Sequence, residues 1–280
     1  MRIIKNINFL QKEVSRIKKG SKTIGFVATM GYLHEGHLSL IRRARQECKI
    51  VVVSIFVNPL QFGPKEDFKK YPRDFNRDIS LCKRYVDILF IPNVNPMYSK
   101  DFLTSVEVKD LSNILCGASR PGHFRGVTTV VNKLFNIIMP DIAYFGQKDA
   151  QQAIIIKKMV NDLNMPIKIK VLPIVREYDG LAMSSRNKYL SARERKDALV
   201  LYKSLILARD LIRKGNIHCK KIISQMRKII LKVKAARIDY ISIVNPRTLA
   251  PLRKIKSEAW VLLAVFIGKT RLIDNILIKR

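Results

Sequence analysis

The first two-thirds of the chain alternates short runs rich in β-branched apolar residues with stretches of helical periodicity, and few folds satisfy that alternation. TIGFVATM (residues 23–30) and KIVVVSIFVN (49–58) read as strands. Between them, LSLIRRARQEC places Leu38, Ile41, Ala44 and Cys48 on one helical face. Such a strand, helix, strand unit makes a parallel sheet with a right-handed crossover. The alternation continues through a loop punctuated by proline and glycine, PLQFGPKEDFKKYPRD, to a helix near FNRDISLCKRY and a strand at VDILFIP. TTVVNKLFNII then reads as a helix, DIAYFG as a strand, AQQAIIIKKMVNDLN as a helix and IKIKVLPIV as a strand. The expected fold is therefore α/β, a Rossmann-like doubly wound parallel sheet over residues 1–175.

From residue 176 onward the pattern changes. Two long amphipathic helices, over 191–215 and 219–234, are followed by strands at RIDYISIVN and AWVLLAVFIGKTRLIDNILI. Residues 176–280 are expected to form a smaller α+β C-terminal domain, and the Pro-Ile step before REYDGLAMSSRN is a candidate hinge.

Composition excludes several classes. Apolar residues make up 48% and charged residues 27%, the balance of a globular protein and not of a disordered one. The longest apolar run, AWVLLAVFIG, is about half of what a membrane span requires, so no membrane role is expected. The basic N-terminus lacks the continuous apolar core of a signal peptide, which points to the cytoplasm. Cys48, Cys82, Cys116 and Cys219 are scattered with no C-x-x-C pair and are expected to be reduced and structural. The formal charge of +31 would attract phosphate backbones. Lysine and arginine are nevertheless spread over the whole chain, which argues for compositional drift and against a nucleic-acid-binding stripe.

The stretch TMGYLHEGH falls where a strand gives way to a helix. His34 and His37 do not match a zinc pattern: H-E-x-x-H fails because Leu38 stands at the second ligand position, and the only other histidines are His123 and His218. No protein-held metal is expected. Gly31 and Gly36 permit close backbone approach, and a helix N-terminus offers unpaired N–H groups, so the site suits an anion and phosphate above all.

MGYLHEGH also resembles the histidine signature of the nucleotidyltransferase superfamily that includes class I aminoacyl-tRNA synthetases, most closely in the form found in the pantoate–β-alanine ligase family. FVNPLQFGPKEDFKKYPRD, RPGHFRGVTTVVNKLFNIIMPDIAYFGQKDAQQ and REYDGLAMSSRNKYLS resemble that family's segments in order and spacing. The resemblance implies ATP-dependent condensation of pantoate with β-alanine through a pantoyl-adenylate, releasing AMP and pyrophosphate, in a cleft roofed by the C-terminal domain. It assigns catalysis to His37, His34 and Lys148, with His37 as proton donor. It assigns ATP binding to Met30, Gly31, Tyr32, Leu33, His34, Glu35, Gly36, His37, Gly146, Gln147, Lys148, Asp149, Val175, Met183, Ser184, Ser185 and Arg186. Gln61 and Gln152 would read pantoate, and Gln61 would also meet β-alanine. Arg73, Asp78 and Arg125 are second-rank candidates for the substrates' amine and carboxylate ends. Mg²⁺ would be held by the ATP phosphates, and the family implies a homodimer. Ala28, Tyr32 and Gln147 depart from residues common in the family, and Tyr32 would narrow the entrance. Another nucleotidyltransferase chemistry and a basic nucleic-acid-binding protein are the rival readings.

Overall fold

The computed structural model describes residues 1–64 and 66–279. The chain divides into two units, Met1–Gln147 with Gln152–Pro173, and Lys148–Gln151 with the residues from Ile174 onward. A division after Val175 would keep residues 148–151 with the sheet; here those four group with the second unit.

In the first unit, β1 (Arg2–Ile4), β2 (Ile24–Thr29), β3 (Ile50–Ile55), β4 (Ile88–Phe90), β5 (Ile142–Gly146) and β6 (Lys168–Leu172) form one sheet in the order β1-β4-β3-β2-β5-β6. Every pairing is parallel. The connecting helices are α1 (Ile7–Lys19), α2 (Glu35–Glu47), α3 (Phe75–Cys82), α4 (Val94–Met97), α5 (Cys116–Ser119), α6 (His123–Ile138) and α7 (Ala150–Asp162).

The apolar strand runs have a physical cause, since a strand covered on both faces cannot alternate with polar residues. Val27 of β2 packs with Leu40, Ile41 and Ala44 of α2. Its neighbour Phe26 points the other way, its ring meeting Phe135 of α6 edge-on at 6.3 Å. The chain winds outward through β3 on one side of β2 and through β5 and β6 on the other. β2 and β5 are neighbours, and a crevice beyond strand ends is where such sheets bind ligands.

Three elements differ from the sequence reading. β1 adds an edge strand paired only with β4, a three-residue RII inside what reads as an amphipathic start. α6 begins at His123, five residues before TTVVNKL, because Gly122 at φ +78° turns the chain into it. The last parallel strand stops at Leu172, since Pro173 has no N–H to continue a ladder.

The second unit carries β7 (Ala236–Val244), β8 (Glu258–Ile267) and β9 (Thr270–Lys279) as an antiparallel sheet, with α8 (Ala192–Asp197), α9 (Leu199–Arg213) and α10 (Cys219–Ile230). What reads as one long helix over 191–215 is α8 followed by α9. Alternate residues of β8, Val261, Leu263 and Val265, share a core with Leu201, Leu205 and Ala208 of α9 and with Ile222, Met226 and Ile230 of α10. The four cysteines are buried and in no disulfide. Among the described residues, no helix is long and apolar enough to cross a membrane.

Candidate active site

The chain leaves β2 through a turn that only supporting contacts make tenable. Gly31 sits at φ +83° and Tyr32 at φ 51°, the latter a left-handed conformation that costs a non-glycine residue about 1–2 kcal/mol. Asp78 of α3 holds it. Its Oδ2 accepts from the Tyr32 N–H at 2.7 Å and its Oδ1 from the Leu33 N–H at 2.8 Å. Arg77 donates to the Leu33 carbonyl at 2.8 Å, and its guanidinium lies 5.5 Å over the Tyr32 ring. Asp78 is 1% exposed, and burial raises its carboxyl pKa against the opposing pull of the two backbone N–H bonds. Each oxygen of the buried Asp78 accepts one backbone N–H of the turn, so the residue shapes the loop that carries the histidines.

α2 then starts with a capping box made of imidazoles. His34 is the N-cap, its Nδ1 accepting from the Gly36 N–H at 3.1 Å, while Nδ1 of His37 accepts from the His34 N–H at 3.3 Å. The rings lie 4.1 Å apart between centroids, tilted by 38°. A neutral imidazole has one N–H, so an accepting Nδ1 puts the proton on Nε2. Both rings therefore carry their donor on the nitrogen farther from the backbone. Glu35, the acidic residue of the helix's first turn, is paired with Arg42. The first turn thus presents backbone dipole and two imidazole donors, a setting suited to phosphate.

Gln61 closes a second cluster in the same unit. Its Nε2 lies 2.8 Å from Sδ of Met30, the residue that begins the histidine loop. Its Oε1 accepts from Asn58 Nδ2 at 3.2 Å. Asn58, 1% exposed, also donates to the Gly126 carbonyl at 3.0 Å and accepts from Tyr98 Oη at 2.8 Å and the Leu60 N–H at 3.3 Å. With those bonds its amide is fully used. The Gln61 carbonyl receives Nδ1 of His123 at 2.8 Å and Arg120 Nη2 at 3.3 Å, and Arg120 is bidentate to Glu66 at 2.7 and 2.6 Å. Burial, the largest influence on Glu66, raises its pKa, but the Arg120 guanidinium outweighs it and the carboxyl titrates below its usual value. α6 reaches this turn because residue 126 is glycine: a Cβ there would stand 2.2 Å from the Leu60 carbonyl oxygen. A cavity of about 360 Å³ is lined by Gln61, Phe62, His123, Arg125 and Gly126 among others. Arg125 thus borders the Gln61 cluster. Arg73 instead folds onto its own loop, donating to the Tyr71 carbonyl at 3.0 Å and the Phe68 carbonyl at 3.2 Å.

At the end of β5, a Cβ on Gly146 would meet nothing within 4 Å, so the protein's own packing does not require glycine there. Gln152 is half-buried in the first turn of α7. In the second unit, Lys148 and Asp149 lie on the 3-10 turn Gln147–Asp149, with Nζ 3.4 Å from the Asp149 carboxylate. Val175 uses its carbonyl to accept from the Met183 N–H at 3.1 Å. Ser184 caps the 3-10 turn Ser185–Tyr189 by accepting from the Arg186 N–H at 3.3 Å. Ser185 is buried.

The sequence profile of the family described as pantoate-beta-alanine ligase matches residues 2–277. The chain belongs to the pantoate–β-alanine ligase family. It is 56% identical to a pantothenate synthetase of Caldicellulosiruptor saccharolyticus over the full length of both chains. A pantothenate synthetase of Thermosipho melanesiensis is 57% identical, with 99% of each chain covered. Among solved structures, pantothenate synthetase from Thermus thermophilus superposes with a TM-score of 0.94 at 45% identity, covering 99% of both chains. The Francisella tularensis pantoate-beta-alanine ligase, complexed with beta-gamma ATP and beta-alanine, matches at a TM-score of 0.82 and 38% identity, covering 99% of this chain and 97% of that one.

Within this member of the ligase family, the residues that hold Gln61 are those that sequence reasoning misses. Asn58, Glu66, Arg120 and His123 carry no motif of their own. The available signal was that Asn58 and Glu66 stand in FVNPLQFGPKED, and Arg120 and His123 in RPGHFRG, blocks whose resemblance to the family was visible without any role attached.

Proposed function

We propose that this chain joins pantoate to β-alanine at the expense of ATP. A pantoate carboxylate oxygen attacks the α-phosphorus, the bond to the bridging oxygen breaks, and pyrophosphate leaves with Mg²⁺, which enters as part of the nucleotide substrate. The β-alanine amine then attacks the acyl carbon of pantoyl-adenylate, AMP departs, and the nitrogen gives up a proton to complete the amide.

The observation that carries this reading is the imidazole capping box at the start of α2, standing in a chain whose family match runs from residue 2 to 277. Attack at phosphorus builds negative charge on the α-phosphoryl oxygens, and preorganised donors are the main means of stabilising it. Two Nε2–H groups held by backbone bonds need no rearrangement as charge develops. His34 and His37 fill that role, with Met30, Gly31, Tyr32, Leu33, Glu35 and Gly36 shaping the loop around the nucleotide. Gly146 and Gln147 leave room for it, Lys148 supplies a point charge for phosphate, and Asp149 suits the ribose hydroxyls. Val175 meets adenine through its backbone, while Met183, Ser184, Ser185 and Arg186 serve the β- and γ-phosphates. Gln61, its amide orientation fixed by Asn58, reads pantoate with Gln152 and lies near β-alanine. The same reading has the enzyme working as a homodimer in the cytoplasm.

The test is to supply ATP, Mg²⁺ and pantoate with and without β-alanine, and to measure AMP and pyrophosphate. AMP should appear only with β-alanine. Continued pyrophosphate release over many turnovers with β-alanine present, the nucleotide staying on the product, would indicate a nucleotidyltransferase instead. Salt-sensitive RNA binding without AMP would indicate a nucleic-acid-binding protein.

A further inference from the structure

Lys148 lies on a single 3-10 turn, a geometry with poor hydrogen bonds and little intrinsic stiffness. Its carbonyl oxygen is nevertheless held from far along the chain, by Nδ2 of Asn275 on β9 at 3.1 Å. The amide that does this cannot turn round. Trp260 of β8 donates its indole N–H to Oδ1 of Asn275 at 2.9 Å, and because an indole only donates, the other end of the amide must face Lys148 with its N–H₂. The backbone of Asn275 is fixed too. Its N–H donates to Asp274 Oδ1 at 2.7 Å, and its carbonyl accepts from Arg176 at 3.3 Å, while Arg176 forms a bidentate pair with Asp274 at 2.7 and 2.9 Å. Asn275 is only 2% exposed, on a strand whose other buried positions include Leu272 and Ile278. An aliphatic residue there would fill the space but take a bonding partner from both the Trp260 N–H and the Lys148 carbonyl, which is costlier than replacing a whole bonded pair by apolar groups.

We propose that Asn275 is a positioning residue for Lys148: Trp260 orients its amide, and the amide fixes the Lys148 backbone so that the ammonium is aimed before nucleotide binds. This rests on Lys148 acting on the phosphates of ATP, as proposed above.

Asn275→Asp keeps the acceptor for Trp260 and removes the donor to Lys148. It should lower kcat/KM for ATP by about 10- to 100-fold, the scale of a small misplacement of a reacting group, and leave KM for pantoate and β-alanine unchanged. Trp260 is the chain's single tryptophan. Its emission should change when ATP is added to the unmutated enzyme, and Asn275→Ala should abolish that response in protein that still melts cooperatively. Lys148→Ala separates the two layers of the argument. If Lys148→Ala turns over normally, the reading of Lys148 fails and the positioning role falls with it. If Lys148→Ala is inactive while Asn275→Asp keeps normal ATP kinetics, the positioning role alone is overturned. A parallel rise of all three KM values would overturn it as well. Should Asn275→Asp fail to fold, Asn275→Ala and Trp260→Phe give the same kinetic readout, and failure of all three to fold would assign the chain of bonds to stability alone.

Discussion

His34 and His37 anchor themselves, whereas Gln61 is anchored by others. Each imidazole is fixed by a backbone N–H two or three residues away, within the turn and helix that carry it. Gln61 is fixed through Asn58, which is bonded to Gly126, and through His123 and Arg120, which come from the start of α6 and the loop before it. The first arrangement needs only the start of α2 and the turn before it, which Asp78 of α3 holds. The second exists only when α6 has docked on the turn Pro59–Gln61, and it therefore ties the orientation of Gln61 to tertiary packing.

Substitutions can break this contrast at either end. The largest effect on turnover is expected from His37→Ala, about 10²- to 10³-fold, the scale for losing one preorganised donor. The helix cap loses one bond of about 1 kcal/mol, so circular dichroism should show an intact fold. Full activity in this variant would remove His37 from the mechanism. Asn58→Ala should couple two losses that His37→Ala keeps apart. The Gly126 carbonyl and the Tyr98 hydroxyl lose a partner, which costs about 1–3 kcal/mol in urea unfolding, and the released Gln61 should lower kcat/KM for pantoate by about 10-fold. A loss of stability with pantoate kinetics untouched would show that Gln61 is not held for reading substrate. The smallest effect belongs to Glu66→Gln. Because its folded pKa is depressed, the charged Glu66 stabilises the fold above its unfolded value of 4.5, and that contribution is lost as pH falls through the lower folded value. The variant should show a flatter decline of melting temperature below that point, with turnover near neutrality little changed.

The contrast also explains what the sequence could disclose. The sheet was legible because both of its faces are covered, so β2 and β3 read as unbroken apolar runs. β1 was not, since three residues paired with a single neighbour leave no periodicity. The break between α8 and α9 was hidden because the apolar period runs on through Ala198, which is fully buried. The two histidines could be read because the bonds that fix their rings are local, although the turn before them is held by Asp78. Asp78 was visible as a carboxylate but not as a buried one, and only the backbone conformation of Gly31 and Tyr32 shows what it is for. Asn58 lay in a family-like block with no role attached, and Asn275 had no signal at all: their partners lie up to 68 and 127 residues away, and asparagine in isolation reads as a turn residue.

The imidazole capping box has a consequence for how the enzyme can be monitored. In each ring Nδ1 builds the start of α2, so the helix cannot fray at this end without moving both imidazoles. Helix formation and the alignment proposed for catalysis thus draw on the same two hydrogen bonds. Amide exchange at Gly36 and His34, measured on the protein before any substrate is added, becomes a direct gauge of how often both rings hold the positions proposed for catalysis.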